Sequence, residues 1–179
     1  MKVLKQLLDE LKHPSETMFV GVGNILKGDD GVGSFVLKKL IDTYGEELPN
    51  GAKLLDAGIG LENALGKIIN SRPRAVVFVD AVGPQQTVPY DIVVLSQQEV
   101  LDNTFSTHNI SLATVIKYLS LRLQEEFGVN PEFFIVGIKS LKIGFAECMS
   151  EEVLERAEEV SQEIARWAEE RTKRCTNSE

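Results

Sequence analysis

The chain has 179 residues and a formal net charge of −8, with 19 Lys and Arg residues against 27 Asp and Glu residues. This length suits one domain with a sizeable core, and the acidic balance weighs against nucleic-acid binding, which needs basic residues that neutralise phosphates. No apolar run approaches the length of about 20 residues that spans a bilayer, and charged residues interrupt the leucines near the N-terminus, so a cytoplasmic protein is expected.

The first predicted element is a helix over residues 2–12, where leucines recur at helical spacing opposite charged residues. Pro14 and Ser15 end this helix. It carries no candidate chemistry, and we expect it to pack onto the domain or onto a neighbouring molecule.

Residues 17–33 combine an apolar strand, a glycine-rich loop and the start of a helix. The strand over 17–23 has a continuous apolar run, which indicates burial on both faces. The sequence GVGNILKGDDGVG then places Asp29 and Asp30 just before a helix that runs from Gly31 to Tyr44. One of the two carboxylates can cap that helix, which leaves the other to point into a cleft.

The same glycines invite a dinucleotide-binding interpretation, which the sequence does not favour. Gly21 and Gly23 fit the start of that fingerprint, but Leu26 stands where a third glycine is needed. The two adjacent acids would also repel phosphate groups.

The remaining elements alternate between strands and helices. Residues 96–107 are expected to be irregular. Gly128 is expected to end one helix, and Ser150 is expected to cap the last helix. The further strands are predicted over 52–56, 74–80, 91–95 and 132–138, and the further helices over 61–70, 110–127 and from 151 onward.

This alternation predicts an α/β fold with a mostly parallel, five-stranded sheet between two layers of helices. The fourth strand is the candidate antiparallel strand, because the link over residues 83–90 is short for a parallel crossover. Cys148 and Cys175 form no CxxC pair, so neither a zinc knuckle nor a redox motif is present.

Four polar residues fall at one edge of this predicted sheet. Asp30 follows the first strand, Asp56 ends the second, Asp80 ends the third, and His108 precedes a helix. In an open parallel sheet, ligands bind outside the carboxyl ends of the strands. Singly, each residue is better explained as a cap or turn residue; together they favour a site, and two carboxylates with an imidazole can bind a divalent transition metal.

The motifs that contain these residues resemble those of the hydrogenase maturation endopeptidases, over about residues 17–165. GNILKGDDG is similar to the first motif, FVDAV to the second and THNISL to the third, which implies Asp30, Asp80 and His108 as catalytic residues and metal ligands. LLDAG is similar to a further motif and implies Asp56 as a supporting carboxylate of the catalytic site. IVGIKSLKIGFAECMSEEV resembles the C-terminal strand, loop and helix of the family.

Two positions depart from the family pattern. Ile59 stands where a threonine is expected, and Cys148 lies in a loop where small residues are usual. Both departures bear on substrate preference more than on activity. The first motif usually begins near the N-terminus, so residues 1–16 are expected to be a helical extension, followed by the protease domain over 17–172 and a flexible tail over 173–179.

The resemblance implies a phosphorylase- or hydrolase-like three-layer α/β/α sandwich and a specific activity. The enzyme would remove the C-terminal extension of a nickel–iron hydrogenase large-subunit precursor after nickel insertion. Nickel would be presented by the substrate, with no resident organic cofactor. Without metal, the paired carboxylates would repel each other, which would explain selectivity for the nickel-loaded precursor.

The implied partner is the precursor, with no nucleic acid and no membrane, for a monomer or weak homo-oligomer. A non-catalytic nickel-binding chaperone with the same ligands is the alternative function. A nucleoside-phosphorylase-like enzyme or another hydrolase with the same α/β sandwich would need a basic phosphate-binding cluster near the strand ends, which we do not find. No GxSxG or HExxH motif is present, which weighs against a nucleophile elbow and against a zinc peptidase. Cys148 with His108 as its base stays a minor option, because their loops could approach each other.

Overall fold

The computed structural model describes residues 1–83, 91–102, 112–145 and 147–176, with only the backbone described for residue 102 and for residues 174–176. His108 lies outside these ranges. The strands are β1 (Thr17–Val22), β2 (Lys53–Gly58), β3 (Ala75–Val82), β4 (Ile92–Ser96) and β5 (Glu132–Lys139). The α-helices are α1 (Lys2–Glu10), α2 (Val32–Tyr44), α3 (Leu61–Ser71), α4 (Gln97–Asp102), α5 (Leu112–Phe127) and α6 (Glu151–Thr176), and two short 3₁₀ turns span Pro14–Glu16 and Gly28–Gly31.

The five strands form one sheet in the order β2-β1-β3-β5-β4. The β1–β2, β1–β3 and β3–β5 pairs are parallel, whereas β4 pairs antiparallel with β5. The predicted α/β fold with a mostly parallel sheet and an antiparallel fourth strand is therefore confirmed.

Helices cover both faces of the sheet, and β1 shows why its sequence is continuously apolar. Phe19 belongs to the core beneath α1, α2 and α6, whereas its neighbour Val20 belongs to the core beneath α3 and α5. Because successive side chains of a strand point to opposite faces, a strand buried on both sides is apolar along most of its length.

The N-terminal helix packs onto the domain rather than standing apart from it. Leu4, Leu7 and Leu8 are buried in the same core as Trp167 of α6, and α1 contacts both β4 and α6. The division of the chain at residues 16 and 172 stays a prediction. The last helix, α6, continues into the segment predicted to be a tail, as far as Thr176, and residues 177–179 lie outside the described part.

The prediction that residues 96–107 are irregular is wrong for their first half, which forms α4. The backbone N–H and the hydroxyl of Ser96 both donate to Glu99 Oε2, at 2.8 and 2.7 Å. Ser96 and Glu99 have the spacing of a capping box, in which the glutamate reaches back to the residue that precedes the helix. Val100, in the same helix, is buried. Residues 103–107 lie outside the described ranges.

Gly128 ends α5 as predicted. Its φ of +68° lies in the left-handed region, and its N–H donates to the carbonyl of Gln124 while that of Val129 donates to the carbonyl of Leu123. The bond from Gly128 is that of an αL motif, in which a glycine adopts the left-handed conformation at little cost. No helix in the described part of the chain is both long and apolar enough to cross a membrane.

Candidate functional site

The loop after β1 folds back on the carboxylate of Asp30. The backbone N–H of Asn24 donates to Asp30 Oδ2 at 3.2 Å, and Asn24 Oδ1 accepts a hydrogen bond from the N–H of Leu26 at 2.9 Å. The second contact is an Asx turn, which tightens the loop without regular secondary structure. The loop therefore brings a backbone donor to a carboxylate six positions further along the chain.

Two glycines let this loop and the start of α2 approach the strands closely. A Cβ atom at Gly33 would collide with the carbonyl oxygens of Val22 and Val79, so only glycine allows the helix to begin against the ends of β1 and β3. Gly23 has a φ of +143°, and a Cβ there would collide with the carbonyl of Asp30. The glycines of GVGNILKGDDGVG therefore place Asp30 at the carboxyl end of the sheet.

Asp30 and Asp80 come to the same edge of the sheet, as their positions after parallel strands predict. Asp30 is 6% exposed and Asp80 is 2% exposed. The 3₁₀ turn that carries Asp30 contacts β3, and Asp80 Oδ1 accepts a hydrogen bond from the N–H of Ala81 at 2.7 Å. The assignment of His108 to this edge stays a prediction.

Asp56 lies at the end of β2 on the same edge, with its carboxylate engaged by neighbouring groups. Its Oδ1 accepts a hydrogen bond from the N–H of Gly58 at 3.0 Å and lies 2.7 Å from the Ser34 hydroxyl oxygen, while Lys38 Nζ lies 3.7 Å from Oδ2. Ser34 is also 3.1 Å from the carbonyl of Gly23, but a hydroxyl has one hydrogen to donate. Asp56 therefore ties the end of β2 to α2.

Asp29 has a different environment from Asp30, although the two residues are adjacent. Its carboxylate accepts hydrogen bonds from the backbone N–H groups of Leu141, Lys142 and Ser150, all at 2.7 Å, and from the Ser150 hydroxyl at 3.0 Å. Its own N–H donates to the carbonyl of Lys142 at 3.1 Å. Asp29 therefore fastens the segment that connects β5 to α6 against the 3₁₀ turn.

These donors favour the ionised form of Asp29. Burial of the side chain by itself raises the pKa, but the hydrogen bonds from Ser150, Lys142 and Leu141 outweigh it and hold the pKa of Asp29 below its ordinary value of 3.8. The carboxylate is fully buried and ionised at neutral pH, with its charge shared among four donors.

The arrangement suits oxygen coordination of a cation at the sheet edge. Asp30 and Asp80 are the buried carboxylates there, whereas Asp29 is saturated by hydrogen bonds. Among residues 1–83, 91–102, 112–145 and 147–176, no three His, Cys, Asp or Glu side chains are grouped as a metal site would require. His108, which the family resemblance implies as a metal ligand, lies outside these ranges.

The sequence did not reveal the roles of Ser34 and of the segment from Leu141 to Ser150. Ser150 lies directly before α6, as the predicted cap requires, and its carbonyl accepts a hydrogen bond from the N–H of Leu154 at 2.9 Å. Its hydroxyl also donates to Asp29. The sequence signal for this contact is the pair of adjacent acids, Asp29 and Asp30. When one of the two side chains lies at the candidate site, the other is left to bind elsewhere. Cys148, in the same segment, has an exposed side chain.

Comparison with known proteins identifies the class to which this fold and site belong. Residues 36–167 match the family described as hydrogenase maturation protease. A protein from Methanocaldococcus jannaschii assigned to these proteases is 32% identical over 153 residues, which cover 83% of this chain and 86% of that protein. The hydrogenase 3 maturation protease of Escherichia coli K12 is 28% identical over 148 residues, covering 82% of this chain and 86% of that protein.

Solved structures show the same relationship. The nickel–iron hydrogenase maturation protease HycI from Thermococcus kodakarensis has a TM-score of 0.74 and 27% identity, covering 92% of this chain and 99% of that chain. The fold and the matches together define a peptidase of the α/β class. The chain belongs to the hydrogenase maturation protease family, as the resemblance of its motifs predicted.

Proposed function

We propose that this protein is an endopeptidase that removes the C-terminal extension of a nickel–iron hydrogenase large-subunit precursor after nickel has been inserted. The observation that carries the proposal is the burial of Asp30 and Asp80 at one edge of the sheet. The 3₁₀ turn that carries Asp30 contacts β3, the strand that carries Asp80. Membership of the hydrogenase maturation protease family supports the substrate class.

Nickel enters this scheme as part of the substrate. Asp30 and Asp80 bring two carboxyl groups to one edge of the sheet, and a nearby positive charge complements such a pair. A nickel ion carried by the precursor supplies that charge, and Asp30, Asp80 and His108 are the side chains we assign to its recognition. The metal-free precursor lacks this contribution and is bound less tightly.

Asp56 acts as a supporting carboxylate in this scheme. The Ser34 hydroxyl and the N–H of Gly58 already engage one of its oxygens, and Lys38 lies near the other. Its function is therefore to hold the end of β2 and the start of α2 in place beside Asp30. A direct contact of nickel with Asp56 Oδ2 would compete with the Lys38 ammonium.

The site offers two chemistries for attack on the peptide bond. Substrate nickel can polarise the carbonyl group or lower the pKa of a water molecule, and this would make the enzyme metal-dependent. Alternatively, Asp30 or Asp80 can accept the proton of the attacking water as a general base, in the manner of an aspartic peptidase. Cleavage rates of precursor loaded with different divalent ions distinguish the two mechanisms. Only metal-assisted attack predicts that the rate rises with the Lewis acidity of the ion.

The decisive experiment is mass spectrometry of the purified precursor before and after incubation with the protein, with and without nickel. We expect a shortened large subunit only when nickel is present. A nickel-loaded precursor that binds the protein but keeps its full mass would contradict the peptidase function and favour a nickel-binding chaperone. The cytoplasmic location and the monomeric or weakly oligomeric state stay predictions.

A further inference from the structure

Several large apolar side chains are exposed on the loops that surround the candidate site. Leu26 is 58% exposed, Ile59 is 65% exposed and Phe145 is 72% exposed. They lie on the loops that follow β1, β2 and β5, at the same edge of the sheet as Asp30 and Asp80. We name this set the apolar rim, and its members are Ile25, Leu26, Ile59, Leu141, Ile143 and Phe145.

Hydrogen bonds join the three loops of the apolar rim. The N–H of Gly23 donates to the carbonyl of Gly58 at 2.9 Å, which ties the loop after β1 to the loop after β2. Asp29 ties the loop after β1 to the segment after β5 through Leu141 and Lys142. Lys27 Nζ also lies 5.9 Å from the centre of the Phe145 ring. The exposed side chains are therefore carried by one connected structure.

Such an exposed apolar surface is unfavourable in water unless a partner covers it. Burial of apolar surface contributes roughly 25 cal/mol per Å², and exposed apolar patches on a protein surface mark interaction sites. The hydrogen bonds of Asp29 hold the Leu141 end of the rim in place before any partner arrives. A surface ordered in advance loses less conformational entropy on binding.

Resting on the proposed function, we propose that the apolar rim is the docking surface for the folded body of the hydrogenase large-subunit precursor. The rim borders the edge where the scissile segment must reach Asp30 and Asp80, so a partner seated on it delivers its C-terminal extension to the site. A second copy of this chain is disfavoured, because each copy carries a net charge of −8 and would also cover the site.

The test compares two double variants with matched chemistry. Leu26→Ser with Phe145→Ser removes two rim side chains, and Tyr118→Ser with Leu121→Ser removes two exposed apolar side chains of α5, away from the rim. All four side chains are exposed, so both variants should keep the melting temperature of the wild type. Three quantities are measured: the KM and kcat for nickel-loaded precursor, and the Kd for metal-free precursor, which serves as the uncut binding probe.

We expect the rim variant to raise both the KM and the Kd about tenfold, with kcat at saturating precursor within twofold of the wild type. The α5 variant should match the wild type in all three. Unchanged KM and Kd in the rim variant, or equal losses in the α5 variant, would overturn the docking surface.

Two further outcomes separate the docking surface from the proposed function. A wild-type dimer that dissociates on substitution of the rim, with precursor binding unchanged, would assign the rim to self-association and overturn the inference. A wild type that binds the precursor without cutting it would overturn the endopeptidase function instead. In that case the Kd values alone would decide whether the rim is the docking surface.

Discussion

Two adjacent residues of the Gly28–Gly31 turn, Asp29 and Asp30, carry the same carboxylate group in different environments. The Asp29 carboxylate faces the segment after β5 and accepts four hydrogen bonds from Leu141, Lys142 and Ser150. The Asp30 carboxylate faces the sheet edge, where the described contacts give it one backbone donor, from Asn24. Both side chains are buried, so burial alone does not distinguish them.

The number of hydrogen-bond donors around a buried acid therefore distinguishes an acid that anchors a neighbouring segment from one that can react with a substrate. A carboxylate has about four lone-pair sites, and four hydrogen bonds leave Asp29 little capacity to bind a substrate ion. Asp30, with fewer described donors, keeps acceptor capacity for such an ion. We therefore expect substitutions of Asp29 to affect stability, and substitutions of Asp30 and Asp80 to affect catalysis.

The largest expected effect is on the cleavage rate. Asp30→Asn and Asp80→Asn keep the size of each side chain and remove its charge, so each should lower kcat by about 100-fold or more while the melting temperature changes little. Mass spectrometry of nickel-loaded precursor over time measures the rate. Asp42→Asn, at an exposed position of α2, is the matched control. Cleavage at the wild-type rate in both site variants would remove these acids from the mechanism.

The next effect is on stability. Asp29→Ala leaves the N–H groups of Leu141, Lys142 and Ser150 without their acceptor, and unpaired buried donors are costly. We expect a loss of about 2–4 kcal/mol in the free energy of unfolding, or a fall of roughly 5–15 °C in melting temperature. Calorimetry measures this fall, and Asp42→Ala should stay near the wild type. Equal melting temperatures for Asp29→Ala and the wild type would contradict the anchoring role.

A smaller effect on the stability of the protein is expected when the pH is lowered. The folded-state pKa of Asp29 lies below the ordinary value of 3.8, so the ionised side chain stabilises the fold above that pH. This stabilisation is lost as the pH falls through the folded-state pKa. The difference in melting temperature between the wild type and Asp29→Ala should therefore shrink between about pH 6 and about pH 3. A difference that stays constant over this range would show that the charge of Asp29 is unimportant.

The smallest expected effect is that of Cys148→Ser. The Cys148 side chain is exposed, and the proposed chemistry uses the acids of the sheet edge. We expect kcat and KM within twofold of the wild type in the precursor cleavage assay. Loss of cleavage in this variant would revive the alternative of a cysteine nucleophile with His108 as its base.

Much of the fold could be predicted because local pattern and buried layers agree. The continuous apolar run of β1 predicted burial on both faces, and the short link before β4 predicted its antiparallel direction. The helix α4 was not predicted, because only six residues form it and its local signal is limited to the spacing of Ser96 and Glu99. The candidate acids Asp30, Asp56 and Asp80 could be named because each lies at, or just after, the carboxyl end of a predicted parallel strand.

Sequence patterns alone were enough to predict the order of the elements, the edge of the sheet at which the acids lie, and the family that the motifs resemble. These depend on periodicity and on residues close together in the chain. Only the tertiary structure decided that Asp29 is the anchor and that Ser34 reaches Asp56, since these contacts join residues more than 20 positions apart. It also gathered apolar residues from three separate loops into one surface, because parallel strands deliver distant segments to a common edge.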